Sequence, residues 1–123
     1  IVRRASTNTP LQALVLMNDP TYVEAGRKLA ERLLRECGAE PARIVDRLAR
    51  RVLGRPARAA ERSALLALYN REASEFRRAP DRAKRLMAVG EAPADPRLDP
   101  VEIAAWASVA GAVFNLDEAV TRG

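Results

Sequence analysis

"NDPTYVEAGRKLAERLLRECGAEPARIVDRLARRVLGRP" (residues 18–56) spells out two helices together with their start and stop signals. Asn18 tolerates the left-handed conformation that ends a helix, Asp19 is an N-cap type, and Pro20 suits a first helical position. Tyr22, Val23, Gly26, Leu29, Ala30, Leu33, Leu34 and Cys37 then recur at three/four spacing, which marks one buried helical face. Glu24–Lys28 and Glu31–Arg35 stand four apart in the favourable order and are expected on the solvent side. Gly38 ends this helix and Pro41 opens the next. There Ile44, Val45, Leu48, Ala49, Val52 and Leu53 form the apolar stripe, and Gly54 stops it before Arg55-Pro56.

The same punctuation extends outward. Upstream, Thr9, Pro10 and Gln12 form a capping box, and Leu11, Leu14, Val15, Leu16 and Met17 predict a short helix apolar all round. Residues 1–8 are polar and basic and read as a linker or upstream continuation. Downstream, a fourth helix is expected over 58–76, carrying Leu65, Leu66, Tyr69, Ala73 and Phe76. Pro80 and Asp81 open a fifth, short segment to Met87. Residues 88–100, "AVGEAPADPRLDP", have three prolines and no periodicity and are expected to be an ordered crossing loop. Asp99 and Pro100, followed by Glu102, start the last helix, with Ile103, Trp106, Val109, Ala110, Val113 and Phe114 inward. "NLDEAVTRG" is read as a short closing turn. No stretch alternates with period two, so the expected fold is all-α: a compact array of five or six helices with short, Pro-capped connections, forming one domain over 1–123.

Composition agrees. Only 4% of residues are aromatic against 48% hydrophobic, so the core is aliphatic and Ala-rich, with Trp106, Tyr22, Tyr69, Phe76 and Phe114 as its few large pieces. The net charge is +5, and 19 of the 21 basic residues are Arg. Arg forks onto carboxylate and phosphate better than Lys does, although genomic composition alone can favour it. No apolar run approaches the roughly 20 residues of a bilayer span. The chain starts at Ile1, which suggests a piece of a longer polypeptide.

Few chemistries have their residues here. There is no His, which removes the commonest general base and metal ligand. Cys37 has no His to activate it as a nucleophile and reads as a small apolar filler. Asp117 and Glu118 are helical neighbours and diverge by about 100°. Asp95 and Asp99 each precede a proline, where capping accounts for them. No catalytic residue, metal ligand or cofactor is therefore assigned to this segment. The strongest remaining signal is basic: Arg43, Arg47, Arg51 and Arg55 recur every four residues, with Arg50, Arg58 and Arg62 close by. Like charges at that spacing repel, so the stripe needs acids from elsewhere in the fold or an anionic partner.

Three stretches together, "STNTPLQALVLMNDPTYVEAGRKLAERL", "LGRPARAAE" and "AVGEAPADPRLDPVEIAAWASVAGAVFNLDEAVTRG", resemble the C-terminal part of a planctomycete-type domain of unknown function. The resemblance runs through essentially the whole chain. Its motif positions fall on Asn8, Thr9, Pro10, Gln12, Ala13, Leu14, Asn18, Asp19, Pro20, Asn115, Leu116, Asp117 and Glu118. It departs from the family where Ala57-Arg58 stand in place of a Thr or Ser cap, and where Ala119 replaces an aromatic. Such domains end large exported proteins that carry a cytochrome-c-like domain near the N-terminus. The resemblance thus implies export, upstream domains of the same polypeptide as partners, and any heme c held elsewhere, since no Cys-x-x-Cys-His occurs here. The function expected on these grounds is a structural or interaction module. Its rival is an anion-binding module for glycan or nucleic acid, using Arg43, Arg47, Arg50, Arg51, Arg55 and Arg58.

Overall fold

Four of the five helices among the described residues begin on a proline. The computed structural model describes residues 20–122, with side chains up to Leu116. The expected helix over 9–17, the linker 1–8 and the signals at Thr9, Pro10, Gln12, Asn18 and Asp19 lie outside the described residues. The helices are α1 (Pro20–Cys37), α2 (Pro41–Leu53), α3 (Ala59–Arg78), α4 (Pro80–Met87) and α5 (Pro100–Arg122), with no strand among the described residues.

The ends follow local chemistry. Gly54 terminates α2 at φ 74°, ψ 15°, a left-handed conformation that costs glycine nothing, and its N–H donates to Arg50 O at 3.1 Å. Pro80 forces the break between α3 and α4, so Ala79 closes one helix and opens the other. At the start of α3 the expected Thr or Ser cap is absent, and Glu61 takes over: its carboxylate accepts Arg58 N–H at 2.8 Å. Asp99 is a true N-cap of α5, accepting Val101 N–H at 2.9 Å, and Pro100 holds the first helical position.

α5 is the central helix. It touches each of the other four, and residues 103–111 are buried without interruption. A one-sided stripe was expected there. The small residues Ala104, Ala105, Ala107, Ser108, Ala110 and Gly111 fill the other side and let several helices approach at once. α1 comes in close at Gly26, where an added Cβ would stand 3.2 Å from Ala107 O. The Tyr22 and Phe114 rings are 6.3 Å apart, and with Gly26 lying opposite Ala107 this makes α1 and α5 antiparallel. Trp106 stacks on Tyr69 of α3, with centroids 4.2 Å apart. Ile44, Val45, Leu48 and Ala49 of α2 complete the aliphatic core with Val23, Ala30 and Leu33.

α5 also corrects the expected chain end. "NLDEAVTR" is not a separate turn but the continuation of the helix to Arg122. No glycine or proline interrupts residues 112–122, so the ladder simply propagates. Of the motif residues there, Asn115 is buried and Asp117 lies on the helical backbone.

Candidate functional site

The densest polar constellation lies where residues 88–99 cross α1. Glu24, Arg27 and Glu31 sit at i, i+3 and i+7, one face of the helix, and each holds loop backbone. Glu24 Oε2 accepts Ala92 N–H at 2.7 Å. Arg27 Nη2 donates to Val89 O at 2.8 Å and to Ala92 O at 2.7 Å. Glu31 Oε2 accepts Asp95 N–H at 3.0 Å. Ala92 is thus held by both its amide and its carbonyl. A proline-containing crossing has no ladder of its own, and its backbone groups need such partners.

Two of the three clamp residues are buried and Glu24 is half-buried. Arg27 is 0% exposed and Glu31 1%, which overturns the expectation that Glu31 and Arg35 form a solvent-side pair. The loop lies over that side of α1 and makes it a second buried face. Glu24 also turns away from Lys28 to the loop, and Lys28 Nζ donates to Glu31 Oε1 instead, at 3.0 Å. Arg27 Nε and Nη1 are buried with no hydrogen-bond partner among the described residues.

Asp95 closes the crossing. It accepts Arg97 N–H at 2.9 Å, Arg97 Nε at 3.1 Å and Arg35 Nη1 at 3.0 Å. The Arg97 guanidinium, helped by the Arg97 amide and Arg35, holds its carboxyl well below the usual carboxylate range. Asp95, Asp99 and Glu102 therefore have separate duties in loop, cap and core edge. Glu102 receives the Tyr69 hydroxyl at 2.9 Å, with Arg77 Nη2 3.6 Å away. Burial, reinforced by that carboxylate, pushes the Tyr69 phenol up to about 12.

The arginine stripe splits into two groups. Arg47 and Arg51 of α2 turn to Glu36 near the end of α1, at 3.1 and 2.8 Å, and Arg32 approaches the same carboxylate at 3.9 Å. Arg55 instead forks onto Glu61 with two contacts of 2.9 Å, and Arg62 pairs with Asp46 at 2.8 Å. The Arg55 fork pulls the Glu61 carboxyl down to about 2. Arg43, Arg50 and Arg58 are exposed, with no carboxylate within 4.0 Å among the described residues. Sequence reasoning missed Arg32 and Glu36 as members of the basic cluster. Their spacing of four on α1, plus the short 38–40 connection that makes α1 and α2 neighbours, was the available signal.

Among the described residues no group of three His, Cys, Asp or Glu could hold a metal ion, and no helix is long and apolar enough to cross a membrane. Cys37 is buried, with Sγ 3.9 Å from Arg43 O. With one Cys and no His, the chain lacks the paired thioether positions and the imidazole that a c-type heme uses.

Helices, central α5 and clamp define an all-α domain whose deepest charges secure its own crossing loop. The chain matches the family model PSD1, described as a protein of unknown function (DUF1553), over residues 1–69. That is more than half of its 123 residues, and the chain belongs to this family. The match takes in the first two of the three motif stretches and stops before the third. No curated protein and no solved structure matches the chain.

Proposed function

We propose that this domain is a structural and interaction module that ends a large, exported, cytochrome-c-associated polypeptide and packs against its upstream domains. The clamp is the observation that carries the reading. The buried Arg27 and Glu31 and the half-buried Glu24 are the kind of charges an active site would use, yet each is hydrogen-bonded to main chain of residues 89–95. Buried charges kept this way fix a unique arrangement of loop and helix, at some expense in stability. The exported, cytochrome-linked setting rests on the motif resemblance.

The test is Glu24→Gln and Glu31→Gln in the full-length parent polypeptide. The expected result is a lower melting temperature of this domain and weaker association with the rest of the chain. Any redox or hydrolytic activity of the parent should fall only with the folded fraction. Loss of turnover at unchanged melting temperature would give these carboxylates a chemical role and overturn the reading.

A further inference from the structure

Glu36 is oversubscribed. Arg51 donates to it twice, at 2.9 and 2.8 Å, Arg47 once at 3.1 Å, and Arg32 stands 3.9 Å away. One carboxylate neutralises one of three guanidiniums, which leaves a local charge of about +2 by Coulombic counting. The neighbouring acid on α2, Asp46, faces Arg62 instead. Arg43 and Arg50 flank the cluster and add positive charge with no carboxylate within 4.0 Å among the described residues. The groups are accessible: the side chains of Arg32, Arg47, Arg51 and Glu36 are 62, 44, 32 and 31% exposed.

We propose that the seam between α1 and α2 is a binding site for a sulfated polysaccharide, with Arg32, Arg47 and Arg51 gripping sulfate esters and Glu36 occupying their place in the free protein. Independently of the modular role proposed above, three features favour this ligand. The several N–H donors of a guanidinium match the oxygens of a tetrahedral oxyanion, and Arg51 Nη2 already meets both oxygens of Glu36 while Arg47 Nη1 reaches one of them. Arg43, Arg47 and Arg51 span eight residues of one helix, about 12 Å along its axis, which suits a polymer bearing charge at intervals. No aromatic residue occurs from Val23 to Leu68. Single-stranded nucleic acid is normally held by stacking bases on aromatic rings, whereas sulfate esters need none.

The test titrates the full chain with a highly sulfated heparin-type oligosaccharide, the same glycan after desulfation, and a single-stranded RNA of equal charge. The sulfated probe should bind with a steep salt dependence and the desulfated one should not. Arg47→Gln with Arg51→Gln should weaken binding at least tenfold and lower the log–log salt slope by about two. Glu36→Gln should tighten it about threefold, because one repulsive charge roughly 6 Å from the ligand is removed. Arg47→Lys with Arg51→Lys keeps charge and fold but loses the guanidinium donors, and should weaken binding severalfold. Replacing Arg82, Lys84 and Arg85 by Gln on α4 should change affinity by less than about twofold, since these lie on another helix. Unchanged or weaker binding with Glu36→Gln, no effect of the Lys pair, equal affinity for RNA, or equal loss in the α4 variant would each overturn the proposal.

Discussion

Gly90→Ala tests the clamp where it is tightest. Gly90 sits at φ 88°, and an added Cβ would stand 2.6 Å from Glu24 Oε1, 2.7 Å from its Cδ and 2.9 Å from its Cβ. Left-handed backbone alone costs an alanine about 1–2 kcal/mol. The clash also forces the Glu24 carboxylate off Ala92 N–H, and a hydrogen bond to a charged group is worth about 1.5–3 kcal/mol. Gly90→Ala should therefore destabilise the chain by about 2.5–5 kcal/mol. In a Glu24→Ala background the bond is already gone, as are the two shortest contacts, so the same change should cost about 1–2 kcal/mol for the backbone plus the small shift that the remaining 2.9 Å approach to the Cβ at position 24 demands, and less than in the native chain. Urea melts followed by far-UV circular dichroism give both numbers, and exchange of the Ala92 amide reports the bond directly. Additivity of the two substitutions within about 0.5 kcal/mol would mean that Gly90 and Glu24 do not share a site, and the clamp geometry would be refuted.

Three shorter tests address the caps and the charged contacts. Asp99→Ala should cost about 1 kcal/mol, seen as a thermal midpoint several degrees lower, because Val101 N–H loses its acceptor. Tyr69 keeps its proton to about pH 12 in the folded chain against an ordinary value of 10.0. Between those values only the folded form holds the proton, so stability falls as pH rises through this window, and Tyr69→Phe should flatten that part of the alkaline melt profile. Glu61, depressed to about 2 by Arg55, stabilises the fold above its ordinary value of 4.5. That contribution is lost as pH falls from there towards 2, and Glu61→Gln should remove this component of the acid limb.

The helices were legible because their punctuation is local. Pro20, Pro41, Pro80 and Pro100 all begin helices, and Gly38 and Gly54 close two at positive φ. The start of α3 was harder, since Glu61 caps it from within the helix and no Ser or Thr marks the place. The depth of α5 was hidden for a different reason. Alanine is a weak signal that counts as inward only in register with larger apolar residues, so Ala104 and Ala105, out of register with Ile103, Trp106 and Val109, give no hint that they face other helices. The clamp was misread because charge pattern on one helix does not reveal what lies above it. Glu31 and Arg35 obey the spacing rule for a solvated pair, yet a proline-rich crossing needing backbone partners covers Glu31. The basic cluster was half visible: Arg47 and Arg51 share a stripe on α2, but its acid, Glu36, comes from another element.

Charge in this domain therefore comes in two layers that respond differently to salt. Arg27 and Glu31 are sealed under the loop, where mobile ions do not reach, so their bonds to Val89, Ala92 and Asp95 should hold at any ionic strength. The Arg32–Arg47–Arg51–Glu36 group is open to solvent and screened within about 3 Å at 1 M salt. Glu36→Gln should consequently alter stability by no more than about 1 kcal/mol at low salt and by nothing measurable at 1 M. The Gly90→Ala penalty, set by a steric clash and a short hydrogen bond of the half-buried Glu24, should be nearly the same in both. If that penalty instead shrinks as salt is added, the clamp is a solvated electrostatic contact and not a buried hydrogen-bonded one. The division between a layer that holds the fold and a layer free to meet an anion would then collapse.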